Sequence, residues 1–277
     1  MSLRHRPWED GADFAIGLKS IPTEAWLEGG EADPASRKDA LLAQFPDVVW
    51  GALDGAQSGQ AEAASIVAEA SGRPLSPHDR GPLYAAARLV SDDLVLMEKR
   101  QGAWRVTALS LSSPTFFTAS EVLGRSLAEL HGPVQGFADR FLARVTRIFE
   151  GLRPDLVLER RNWTLVNSGE LFTPSAAPVR ARISAIAPED IGRALFVRVE
   201  RQTLRRLPGT GGALFTIRVW LTPLAELAEQ PPRLSAFARA WRSAPADFRI
   251  YKGFAHYERL VETYLRLHGE SASQGPD

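Results

Sequence analysis

The chain has 277 residues, 33 Lys and Arg against 33 Asp and Glu, 44% hydrophobic residues and no cysteine. That balance describes a folded globular protein of one large or two small domains, not a disordered one. Without Cys there is no disulfide framework, no thiolate-ligated zinc or haem, no iron–sulfur cluster and no Cys nucleophile, so any electrons the chain consumes come from another protein.

No apolar run reaches the roughly 18 residues of a membrane span, and the opening MSLRHRPWEDGADF has no signal-peptide core, so the expectation is a cytoplasmic protein. Zero net charge hides an asymmetry: residues 1–80 carry 7 basic and 13 acidic side chains, residues 137–222 carry 14 Arg and 8 acidic ones. With neither a basic tail nor an overall positive excess, nucleic-acid binding is not expected.

In chain order, residues 1–33 read as an irregular arm that packs Trp8, Phe14 and Trp26 on the body. Pro34-Ala35-Ser36 opens a helix across Arg37 to Phe45, and Ile66, Val67 and Ala70 mark a second over Ala61 to Ser71. Arg73 to Pro82 is a loop. Asp93 to Leu111 reads as a β-hairpin turning at Arg100-Gln101-Gly102, with Val106, Ala108 and Ser110 on one face and Thr107 and Leu109 on the other. Thr118-Ala119-Ser120-Glu121 matches a capping box and Gly132-Pro133 a stop, predicting one helix from Ala119 to His131. A further helix, about Val134 to Leu152, aligns Phe137, Phe141, Val145, Ile148 and Phe149.

Strands are predicted at Asp155 to Val166, Leu195 to Arg201 and Ala213 to Leu221, giving four or five antiparallel strands in all. The last alternates Leu214, Thr216, Arg218 and Trp220 against Phe215, Ile217, Val219 and Leu221, as in a sheet with one core face and one partly polar face. Helices Arg233 to Trp241 and Asp247 to His268 follow, then a polar tail, residues 269–277, expected to be disordered. The order of elements argues for an α+β fold built on an antiparallel sheet, with residues 34–268 as a single domain.

Five histidines are present. His5, His78 and His268 read as solvated, and His256 as a packed histidine at an aromatic-rich helix start. In the predicted helix Leu123, Leu127 and His131 recur at i, i+4 and i+8, which turns the His131 imidazole toward the apolar stripe. A histidine there either answers the helix dipole or serves as the proximal ligand of a haem iron, and spacing does not separate the two. The chain has no HExxH, GxxxxGK[ST] or GxSxG, and Gly209-Thr210-Gly211-Gly212 precedes a strand, as a hairpin turn does. Two polar constellations remain, Glu200-Arg201-Gln202-Thr203-Leu204-Arg205-Arg206 and Glu159-Arg160-Arg161-Asn162-Trp163-Thr164. Each reads as an anion clamp or as a salt-bridged surface.

Three stretches, SEVLGRSLAELHGPV (120–134), RNWTLVNSGELF (161–172) and RVERQTLRRLPGTGGALFTIRVWLTPL (198–224), resemble the α subunit of haem-dependent oxidative N-demethylase and its relatives, over roughly residues 8 to 265. The resemblance implies a haem-binding PAS-type domain, its PAS-like sheet flanked by extra helices, with His131 ligating the iron of haem b. It further implies a monooxygenase that takes a small secondary amine such as dimethylamine, O2, and electrons from a reductase subunit carrying flavin and an iron–sulfur centre.

On the matched positions, Arg201, Arg205 and Arg206 become candidates for the haem propionates or for polarising iron-bound dioxygen. Glu200 becomes a receiver for an alkylammonium, and Asn162 and Trp163 candidates for lining the pocket. The sequence departs from the family at Gln135, where Pro is expected after His-x-Pro-Val. A haem-based gas or redox sensor and a haem-free small-ligand module are the competing readings.

Overall fold

The computed structural model describes residues 6–10, 17–131 and 138–270, with the side chains of 9–10, 131 and 138–141 outside the description. It is an α+β fold whose strands form one seven-stranded antiparallel sheet. The strands are β1 (Lys19–Ile21), β2 (Trp50–Ala52), β3 (Asp93–Arg100), β4 (Ala103–Ser110), β5 (Val157–Val166), β6 (Phe196–Arg206) and β7 (Ala213–Pro223). Their order across the sheet is β1-β5-β6-β7-β3-β4-β2.

The five long strands are the expected ones. The two additions are three-residue edge strands, too short to show a period in sequence, and short edges are one way a sheet avoids pairing with another molecule. The β3–β4 hairpin turns through Gln101 and Gly102, both at positive φ, as the twist of a two-residue hairpin demands.

Several expectations are corrected. The pairing steps from Leu96↔Ala108 to Met97↔Val106, so Thr107 is the extra residue of a β-bulge. Its carbonyl accepts from the Leu53 amide at 2.8 Å. Val106 thereby joins Leu109 on one face, while Ala108 and Ser110, opposite Leu96 and Leu94, keep the other.

The helix predicted over Ala119 to His131 is two helices, Ala119–Val122 and Leu127–His131, because Gly124 sits at φ 79° and Leu123 leaves helical geometry. The expected i, i+4, i+8 stripe therefore does not exist, although Leu123 and Leu127 still reach the same apolar cluster. Near the C-terminus Gly253, at φ 64°, divides the predicted Asp247 to His268 helix into Ala246–Tyr251 and Glu258–Leu267. The second helix begins at Gln57, earlier than predicted, and a short helix Pro82–Ala87 follows the Pro-rich loop. Phe137, Gln135, the side chain of Phe141 and residues 271–277 fall outside the described residues.

The chain forms two compact units, residues 1–17, 161–200 and 219–277 in one, residues 18–160 and 201–218 in the other, with the boundaries inside β5, β6 and β7. The first unit has an aromatic core. Trp163 meets Trp8 edge-on at 6.1 Å and Phe254 at 5.3 Å, Trp241 stacks on Phe254 at 4.4 Å, and all four are buried. Rings of this size remove large apolar areas from water, which lets a small unit hold together.

The second unit packs both faces of its strands. On one face Trp26, Ala63, Val67, Leu83, Leu94 and Leu214 form a closed cluster with the helices Gln57–Ser71 and Pro82–Ala87. On the other, Val95, Trp104, Val106, Leu127, Phe149 and Leu204 meet the helices Leu127–His131 and Ala138–Glu150.

Candidate functional site

The segment carrying His131 is anchored by its own first turn. The Ser126 amide donates to Glu129 Oε2 at 2.7 Å and the Glu129 amide donates to Ser126 Oγ at 3.3 Å, a second capping box. Arg105 of β4 donates to Glu129 Oε2 at 3.1 Å and to the Gly124 carbonyl at 2.9 Å. The Gly124 amide and Arg125 carbonyl bond the backbone of Val106. Hydrogen bonds from Ser126, then the Arg105 charge, hold the Glu129 carboxyl below its ordinary range. His131 is the last residue of this helix, and its imidazole lies outside the described residues.

The strand face beneath these helices is incompletely covered. Leu158, Arg160, Gln202, Phe215 and Ile217 are half-buried, whereas Val157, Glu159, Arg201, Thr203, Leu214 and Thr216, alternating with them, are buried. From the helix side Phe117, Leu123, Leu130, Leu142, Val145 and Ile148 are also only partly buried against the same cluster. The result is a half-buried surface, apolar at Leu158, Phe215 and Ile217 and polar at Arg160 and Gln202, next to the histidine-bearing helix. Arg206 belongs to this face, its guanidinium 5.4 Å from the Trp104 ring and donating to the Phe149 carbonyl at 3.5 Å.

Arg201 and Arg205 stand on the opposite, closed face. Arg201, 2% exposed, bonds Glu159 at 2.5 Å and the carbonyls of Trp26 and Ala25 at 2.6 and 2.8 Å, and lies 3.3 Å from Glu28. The Trp26 indole donates to Thr203 at 2.9 Å, and Thr203 and Thr216 share a hydrogen bond at 2.7 Å. Arg205 lies over the Trp26 ring at 4.6 Å, its pKa lowered by burial against the pull of Glu69 and Glu24. Of the face that alternates Leu214, Thr216, Arg218 and Trp220, the structure buries Leu214 and Thr216 and leaves Arg218 and Trp220 half-buried.

Lys38, buried on its helix, donates its ammonium to the Asp92 carbonyl at 2.6 Å. Asp93 accepts from the Ser112 amide and hydroxyl at 2.6 and 2.8 Å and from Ser113 at 3.1 Å. Burial pushes Lys38 down to about 8 against the pull of Asp93, and Asp92 up to about 6 against the pull of Arg218 and Lys38.

In the other unit, Glu200 and Asn162 come together. Asn162 Nδ2 donates to Glu200 Oε2 at 3.3 Å and Arg198 donates to Oε1 at 3.4 Å. Burial opposes ionisation of Glu200, but Arg198, Lys252 and Asn162 outweigh it and keep the carboxyl below its ordinary range. Lys252 donates to Asn162 Oδ1. Trp163, on the alternate face of β5, is enclosed in the aromatic core, 4% exposed.

Sequence reasoning thus named Glu200 and Asn162 but missed Lys252, which is remote in sequence. It also missed the Ser126–Glu129 box, whose S-x-x-E signal follows Gly124 in plain view. Gly209-Thr210-Gly211 is a hairpin turn as expected, and its first two amides donate to Glu62 at 2.6 and 2.7 Å. His256 is exposed, since only Phe254 and Tyr257 of its segment turn inward. His78, half-buried, rests on the Tyr84 ring at 4.6 Å. Among the described residues no group of three or more His, Cys, Asp or Glu side chains is placed to hold a metal ion, and no helix is long and apolar enough to cross a membrane.

The family model described as "Haem-dependent oxidative N-demethylase, alpha subunit-like" matches residues 38–262. That span takes in the capped His131 segment, the half-covered apolar face, the Arg201 network and the Glu200 corner together. The chain is a member of the haem-dependent oxidative N-demethylase alpha subunit-like family.

Proposed function

We propose that the chain is the haem-binding subunit of a monooxygenase that removes a methyl group from a small secondary amine. The observation that carries the reading is the half-covered apolar face beside the helix ending in His131, in a member of a haem-dependent family. A flat tetrapyrrole needs such a surface and one neutral imidazole, and the residues present fit that need: Phe215, Leu158, Leu142 and Val145 offer the apolar walls. The order of the five long strands, second, first, fifth, fourth and third, is that of a PAS-type sheet and supports the same reading.

His131 would hold the iron of haem b, and the bound haem would supply the oxygen chemistry. The protein's part is orientation. Arg105 and Ser126 fix the start of the ligand helix, Arg206 places a guanidinium on the same face for a propionate, and Glu200 is the carboxylate assigned to the protonated amine. Arg201 and Arg205, with their guanidinium groups packed on the closed face, maintain the fold in this reading. Electrons come from a separate reductase subunit bearing flavin and an iron–sulfur centre, since the chain has no Cys.

The test is the absorption spectrum of protein expressed with a haem precursor. A Soret band that is lost in His131→Ala is the expected result, and a spectrum unchanged by that substitution overturns the ligand assignment. Changes in the visible bands on adding dimethylamine separate an oxygenase from a gas or redox sensor, and a colourless protein favours a haem-free module.

A further inference from the structure

Lys252 closes the helix Ala246–Tyr251, next to Gly253 at φ 64°, and its carbonyl accepts from Thr164 Oγ1 at 3.2 Å. The backbone is fixed, but the side chain is four carbons long and half-buried. Its ammonium lies 5.4 Å from the Phe248 ring centroid and 5.3 Å from that of Tyr251, and donates to Asn162 Oδ1. Asn162 in turn donates to Glu200, which is 16% exposed in its side chain and kept ionised. Two ring faces, an amide oxygen and a carboxylate behind it are the groups that recognise an alkylammonium ion. Tyr251 is 54% exposed, so the corner opens on the solvent at that ring while Phe248 closes it on the core side.

We propose that this corner is a receptor for a small protonated alkylamine and that the Lys252 ammonium is its built-in competitor, bound until the amine displaces it. The inference rests on the amine-oxidising reading and adds the residue that sets selectivity. An incoming amine must match what it replaces, a compact cation with an N–H to give to Asn162. A quaternary ammonium lacks that proton, and a neutral isostere lacks the charge. Moving Lys252 costs little because its head exchanges the corner for water, whereas a buried lysine would lose its solvation.

Calorimetric titration of the full chain with dimethylammonium chloride, against sodium chloride at equal ionic strength, tests the proposal. Lys252→Ala removes the competitor and should tighten binding about tenfold, a factor equal to roughly 1.4 kcal/mol. The double variant Lys252→Ala/Glu200→Gln should lose that gain.

Should Lys252→Ala fail to fold, the wild-type chain answers the same question, since it has only four lysines. With lysine isotopically labelled, the Lys252 side-chain resonance should move toward that of a solvated lysine as dimethylammonium is added, and should stay still with tetramethylammonium. Equal affinity in wild type and Lys252→Ala, or a Lys252 resonance indifferent to dimethylammonium, overturns the inference. These readouts do not need haem, so a lost Soret band with an intact ammonium response defeats the functional reading alone, and the converse defeats this one alone.

Discussion

The two faces of the strands in residues 18–160 and 201–218 are built by opposite rules. On the Trp26 face Glu159, Arg201, Thr203, Leu214 and Thr216 are buried, and the Arg201 charge is tied to Glu159 and to the Trp26 and Ala25 carbonyls. On the face toward Leu127–His131 Val95, Val106, Leu127 and Leu204 are buried, while the neighbouring Leu158, Phe215 and Ile217 are left half-buried. Polar groups out of water must be satisfied within the protein and so lock a face shut, whereas apolar residues tolerate an incomplete cover and can accept a ligand there.

The largest expected effect lies on the closed face. Arg201→Met leaves Glu159 and Glu28 without their buried cation and should cost about 3–5 kcal/mol in denaturant unfolding. A loss under about 1 kcal/mol would put the two faces on an equal footing and break the contrast.

Next comes a pH dependence. Asp92 is raised from 3.8 to about 6, so between those values the folded protein holds a proton the unfolded chain has released, and stability falls as pH rises. Lys38, lowered from 10.5 to about 8, acts in the other direction: the unfolded chain binds the extra proton across that window, so stability climbs with rising pH. Denaturation midpoints from pH 4 to 10 should therefore show a shallow minimum between about pH 6 and 8. Asp92→Asn should flatten the acid limb, worth on the order of 2 kcal/mol.

The smallest effect belongs to the other face. Ser126→Ala removes one half of the second capping box and should cost about 1 kcal/mol. Because Ser126 starts the helix that His131 ends, it should weaken haem retention, read from the Soret intensity, more than its stability cost suggests. Haem retention unchanged by Ser126→Ala would separate the cap from the proposed ligand.

Sequence periodicity found the five long strands because alternation over eight or more residues carries its own signal. It could not find β1 or β2, which exist by pairing with β5 and β4 over three residues each. The Thr107 bulge was invisible for a related reason, since the extra residue is set by its partner strand and by Leu53. Glycine breaks were legible and were overridden by the apolar period: Gly124 and Gly253 both interrupt stretches whose side chains still point inward.

Of the candidate site, the sequence names Glu200 and Asn162 separately; their meeting across β5 and β6, like that of Asn162 with Lys252, 90 residues away, enters only through the fold. Arg201 and Arg205 were read as ligand-binding because clustered arginines suit anions. Their carboxylate, carbonyl and ring partners come from segments that local sequence does not reveal.

The break at Gly124 has a mechanical consequence. A continuous rod from Ala119 to His131 would carry any tilt of its first turn through to its last. Divided at Leu123 to Arg125 and clipped to β4 by Arg105, the second segment takes its bearing from the sheet and not from the turn before it. Residues 119–122 lie beyond that break, so only the four residues Leu127 to Leu130 carry the bearing of the helix to His131.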